Sequence, residues 1–114
     1  MSTIPPCSLN RCEQRERGQP MKFVNFISYV PNNAKIEAVR PLHRAYAEGL
    51  RNQGKIVMAG PFRDGAGALI VYEAETQQEA EALAANDPFC MEGVWTRHEI
   101  HPWDILGVNH ALLP

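Results

Sequence analysis

Two side chains in this chain of 114 residues suit acid–base chemistry by type and setting, His43 and Asp87. The histidine lies in "RPLHRAYAEGL", residues 40–50. There Leu42, Tyr46 and Leu50 recur at i, i+4 and i+8, the helical period. His43 stands three before Tyr46 and four before Ala47, so it shares the edge of their stripe and leans toward whatever the helix packs on. An inward histidine is either a core residue satisfied by one hydrogen bond or a buried acid or base. Asp87 lies in "NDPFCMEG", at the expected C-terminal end of a second helix. A carboxylate there opposes the helix dipole. It is either the start of an Asp-Pro turn or an acid aimed at a partner. If it reached the imidazole, it would fix the tautomer and leave the second ring nitrogen to take or give a proton. The plain alternative is a His–Asp pair that only ties two elements together.

Other candidates are weaker. Arg40 is one helical turn before His43, placed either to bind a substrate carboxylate or phenolate or simply to be solvated. Gly60 and Pro61 close a strand, where glycine either lets a ligand approach the backbone or makes a turn. Cys90 follows the Asp-Pro-Phe turn, where it either lines the same cleft or is a small buried apolar residue. His98 and His101, three apart on a strand, point to opposite faces and form no compact metal pair. Cys7 and Cys12 find no second pair of ligands for zinc, so no metal site is assigned. No nucleophile elbow, phosphate loop or dinucleotide fingerprint is present, and no motif asks for a cofactor.

The elements that must hold these residues follow from pattern. "KFVNFISYV", residues 22–30, reads as a strand. After "PNNAK" a helix follows, with Pro41 in its first turn, a possible extra turn over residues 34–39, and Gly54 as its stop. "KIVMAG" is a second strand, "PFRDGAG" a loop and "ALIVYEA" a third strand. Thr76, with Glu79 three residues on, opens a second helix as a capping box, and Pro88 ends it. "VWTRHEIH" is the fourth strand, and the C-terminal "PWDILGVNHALLP" is apolar enough to pack somewhere.

The order β-α-β-β-α-β predicts an α+β, ferredoxin-like sandwich, with both helices on one face of an antiparallel sheet. In that arrangement the two helices run roughly the same way, so topology alone does not bring His43 to Asp87. The third strand is apolar on both faces, where a sheet with one wet face should alternate. A second copy covering the other face is the economical answer, which makes a homodimer the expected partner.

A net charge of -2 and 45% hydrophobic residues fit one ordinary soluble domain over residues 21–114. They give no sign of a nucleic-acid or membrane partner. Residues 1–20 read as a disordered tail or as sequence ahead of a true start at Met21. Three cysteines at irregular spacing suit a reducing, cytoplasmic setting.

The motifs "RPLHRAY" at 40–46, "AGP" at 59–61, "DPF" at 87–89, "GV" at 93–94 and "PW" at 102–103 stand in an order and spacing that resembles the YciI-like (YCII-related) family. The resemblance spans Met21 to about Trp103. It implies a ferredoxin-like subunit that dimerises through its sheet into an α/β barrel. It also implies a His–Asp pair in a cleft, here His43 and Asp87, proposed as catalytic. A dehydrochlorinase acting on chlorinated hydroxyquinols is an enzymatic relative in that group, and muconolactone isomerases share the fold. Arg44 departs from the pattern, since a leucine often follows the motif histidine, and that position is expected to face solvent. The expected function is therefore cofactor-free proton transfer, of lyase or isomerase type, on a small aromatic or enolic substrate. The alternative is a small-ligand-binding or regulatory dimer that uses the same cleft without turnover.

Overall fold

Aromatic and β-branched residues set the first strand, β1 (Met21–Tyr29), where Phe23, Asn25 and Ile27 are fully buried and the residues between them are not. It lies at the centre of a four-stranded antiparallel sheet in the order β2-β3-β1-β4, with β2 (Ile56–Pro61), β3 (Gly67–Ala74) and β4 (Trp95–Trp103). The structure is a computed structural model and describes residues 20–114. The expected N-terminal tail lies, but for Pro20, outside the described residues. Three helices connect the strands: α1 (Asn33–Asn52), α2 (Gln77–Ala85) and the single-turn α3 (Pro88–Met91). The fold is ferredoxin-like.

The core lies between helices and sheet. Phe23, Ile27, Ile70 and Tyr72 from the sheet meet Ile36 and Leu50 of α1, Ala80 and Ala84 of α2, and Phe89 of α3. Register puts Phe23 across from Tyr72 and Ile27 across from Ala68, so these side chains share the covered face. Gly67 is needed at the end of that pairing, because a Cβ there would fall 1.8 Å from the Ile27 carbonyl oxygen.

The helix ends follow local chemistry. The Asn32 side chain caps α1 by accepting from the Lys35 N–H at 3.1 Å. At the other end Gly54, at φ +76°, donates to the Arg51 carbonyl while Lys55 donates to that of Leu50, closing α1 with a Schellman turn. Thr76 accepts from the Glu79 N–H at 3.0 Å to start α2, and the Glu79 carboxylate accepts from the Glu75 N–H.

Four expectations need correction. Pro41 is not at the start of the first helix but inside it, since α1 begins at Asn33. The proline cannot donate to the Glu37 carbonyl, and packing of the whole helix outweighs that loss. Leu42 is not on the inward stripe and is 62% exposed. Steps of four residues drift by about 40° on a helix of 3.6 residues per turn, and the inward stripe runs instead through Ile36, Val39, His43, Tyr46 and Leu50. The fourth strand runs on through Pro102 to Trp103, because an edge strand tolerates proline. Beyond it Ile105 is half-buried, but the other apolar side chains of the C-terminal segment are not buried on the chain, as Leu106 and Leu112 are 85% and 80% exposed. No helix among the described residues is long and apolar enough to cross a membrane.

Candidate functional site

His43 sits at the middle of α1, on its inward stripe, and its side chain is 18% exposed. Tyr46, one turn on, donates its hydroxyl to the Leu83 carbonyl of α2 at 2.7 Å and so fixes how α1 lies. Asp87 is not at the unfavourable end of a helix, as its sequence position suggested. Helix α2 ends at Ala85 with Asn86 as its cap, and Asp87 is the N-cap of α3. Pro88 cannot continue α2, but it suits the first position of a new helix, where its missing N–H is no loss. Asp87 Oδ1 accepts from the Phe89 N–H at 2.9 Å, so the carboxylate lies where the backbone N–H groups favour negative charge.

The two residues meet. His43 Nδ1 lies 2.8 Å from Asp87 Oδ1 and 3.1 Å from Oδ2. They meet because His43 is ten residues into α1 rather than at its start, and because Asp87 lies past the end of α2. The Asp87 carboxylate is 2% exposed. With an ionised carboxylate as partner, Nδ1 carries the hydrogen and donates it, which leaves Nε2 as the acceptor. The imidazole also stacks on the Phe89 ring, with centroids 4.1 Å apart and planes 6° from parallel. One bond in the ring plane and one contact on the ring face hold the imidazole in place. Nε2 has no partner among the described residues.

His43 borders a cleft of about 580 Å³ between α1 and one end of the sheet, a size suited to a small molecule. Arg40 lines it from the same helix, and Gly60 and Pro61 line it from the end of β2, so the three sequence candidates for substrate contact come together with His43. Asp87 is buried and is not among the lining residues. Gly60 pairs with Leu69, which faces away from the helices, so the cleft meets its backbone. Cys90 is not among the lining residues, and burial followed by the nearby Asp87 charge pushes its thiol pKa up. Among the described residues no group of three His, Cys, Asp or Glu side chains is placed to hold a metal ion.

The sequence reading missed most of the lining, including Arg44, Phe89, Tyr29 and Trp95. Arg44, expected to face solvent, is exposed but stands on the rim of the cleft. Phe89 forms the floor under His43, directly after the Asp-Pro pair. Tyr29 and Trp95 come from the paired ends of β1 and β4, beside a register shift between Ser28 and Tyr29. Their only signal in sequence is their place at the end of one strand and the start of another. Burial raises the Tyr29 pKa, against an opposing pull from Arg40, so the phenol keeps its proton at neutral pH.

No curated protein matches the chain. Among solved structures it is similar to 5-chloro-2-hydroxyhydroquinone dehydrochlorinase (TftG) from Burkholderia phenoliruptrix, in complex with 2,5-dihydroxybenzoquinone. The two share 26% identity at a TM-score of 0.66, over 74% of this chain and 94% of that one. It is also similar in fold to PA3566 from Pseudomonas aeruginosa, at 15% identity and a TM-score of 0.53, over 78% of this chain and 96% of that one. The YCII-related domain matches residues 21–104, from the start of β1 to just past the end of β4, and the chain belongs to that family.

Proposed function

We propose that the protein is a small enzyme of lyase or isomerase type in which His43 moves a proton on a small aromatic or enolic substrate. The observation that carries this reading is the His43–Asp87 contact at 2.8 Å, with the other ring nitrogen left free at a cleft. In the first step Nε2 takes a proton from a C–H or O–H of the bound molecule. The imidazolium that forms is stabilised by the Asp87 carboxylate, which keeps its own charge. In an isomerisation the proton returns to another atom of the same molecule. In an elimination the electron pair of the C–H bond becomes a double bond, a leaving group such as chloride departs with its electrons, and the proton goes to solvent. The similarity to a dehydrochlorinase supports the second form.

The test is turnover of chlorinated hydroxyquinols and of small lactones by the wild type and by His43→Ala. Chloride release or isomerisation should fall by about 10²–10⁴-fold in the variant. Binding of these compounds to the wild type with no turnover would favour a ligand-binding module instead.

We also propose that a second copy covers the open face of the sheet. Phe26 and Met58 stand 56% and 46% exposed there, beside Val24, Leu69 and Val71. Light scattering should give a dimer at micromolar concentration, and Phe26→Asp should give a folded monomer. A wild-type monomer would overturn this.

A further inference from the structure

The charge around the cleft is lopsided. Arg40 and Arg44 stand one turn apart on α1, on either side of His43 in sequence, and both line the opening. Among the described residues neither is in an ion pair. The one carboxylate on the lining among the described residues, Glu48, is paired with Arg51, which lines the cleft as well. The opposite wall adds two side chains that can donate, Trp95 and Tyr29. Trp95 is 7% exposed, and its indole Nε1, which can only donate, is buried with no acceptor among the described residues. Tyr29, which keeps its proton, is a further hydroxyl donor on the lining. The whole chain carries a net charge of -2, so this concentration of cations and donors is local to the cleft.

A site of this kind repels cations and leaves a neutral apolar molecule facing unpaired guanidinium groups. It fits an anion with several acceptor oxygens, and the planar fork of arginine matches a carboxylate best. The remaining lining is aromatic and aliphatic, from Phe89, Trp95, Ala68 and Ile70, and accepts a flat apolar body. Resting on the reading of this cleft as the ligand site, we infer that the substrate is a planar organic carboxylate. Its carboxylate is held by Arg44 and Arg40 at the rim, and its body reaches inward to His43. Arg44 is then a specificity-determining residue, and the rim also draws the anion in by its field.

The experiment compares benzoate, benzamide and benzamidine, which share a flat ring and differ in charge, with 4-nitrophenolate as a second anion. Binding is followed by NMR at the His43 imidazole and the Trp95 indole N–H. Benzoate should shift both signals and bind at least about tenfold more tightly than benzamide, with the difference shrinking as salt rises. Benzamidine should not bind. Arg44→Gln should weaken benzoate about five- to tenfold and leave benzamide unchanged, and Arg44→Lys should restore part of the loss. Arg44 is exposed, so these variants keep the fold. Equal binding of benzoate and benzamide, with His43 shifted by both, overturns the carboxylate assignment while the cleft remains the ligand site. A larger response to 4-nitrophenolate than to benzoate also overturns it. If no probe moves the His43 signals, both the inference and the reading of the cleft fail.

Discussion

On the face of the sheet that the helices cover, Phe23, Ile27, Ile70 and Tyr72 are buried, and the polar groups among them, such as Tyr72 with Asn25, mostly bond one another. On the other face Phe26 and Met58 stand in the open beside charged pairs, Lys22 with Glu73 and Arg97 with Glu99. The difference shows where a polar group carries information. On the open face charges are solvated and cost little wherever they fall. On the covered face a polar group must be bonded or be costly. Asp87 meets that demand with two bonds, one to His43 and one to the Phe89 N–H. Among the described residues Asn25 Oδ1 and Trp95 Nε1 do not meet it, and of the two only Trp95 borders the cleft.

The largest effect should come from emptying the covered face. Phe23→Ala is expected to cost about 3–5 kcal/mol by urea denaturation. Phe26→Ala, across the same strand, should cost below about 1 kcal/mol in dilute protein, where its contact is with Phe62 at 5.4 Å. Equal costs would break the comparison. A cost for Phe26→Ala that grows with protein concentration would show the second copy.

Much of this contrast was legible in the sequence. The aromatic and β-branched run of β1, the doubly apolar β3 and the capping box of α2 are local patterns, and each produced its element. The misreadings had long-range causes. Pro41 has the look of a helix start, but a 20-residue helix carries it internally because the stripe from Ile36 to Leu50 is buried. Asp87 reads as a helix end until Pro88 is seen to open a further turn. The contact between His43 and Asp87 crosses 44 positions, and no local period encodes it. Tyr29 and Trp95 meet only through the pairing of β1 with β4.

Removing the buried acid should come next in size. Asp87→Ala leaves the Phe89 N–H and the imidazole N–H without acceptors, at a cost of about 2–3 kcal/mol. Asp87→Asn keeps one acceptor and should cost less, while any turnover is lost. A stable Asp87→Ala protein with unchanged imidazole nitrogen shifts would mean that the pair does not form in solution. Gly67→Ala forces a Cβ against the Ile27 carbonyl and should cost about 1–3 kcal/mol.

The faces should also differ in pH response. Burial raises the pKa of Tyr72 most, and those of Tyr29 and Tyr46 less. Below about pH 10 both folded and unfolded tyrosines are neutral, and the stability is complete. Above it the unfolded chain ionises first, so stability falls as pH rises toward the folded values. Tyr72→Phe should reduce that alkaline loss in denaturation curves. On the open face the hydrogen bond from Arg97, aided by His101, holds the Glu99 carboxyl below its ordinary range. Its contribution would be lost as pH falls, but the group is fully exposed, and Glu99→Gln should leave acid stability unchanged.

The smallest effect is expected at Gly60, where the two faces meet at the edge of the sheet. The residue borders the cleft, yet its register with Leu69 aims a Cβ toward the open face, and nothing lies within 4 Å of that position. Its φ is not in the left-handed region, so alanine fits the backbone. Gly60→Ala should therefore change stability by no more than about 0.5 kcal/mol and leave benzoate affinity unchanged. That outcome would mean that the cleft uses the backbone of β2 and does not need glycine there. A loss of affinity with stability intact would place the ligand over the edge of β2, in contact with the open face, and the two faces would then share one site.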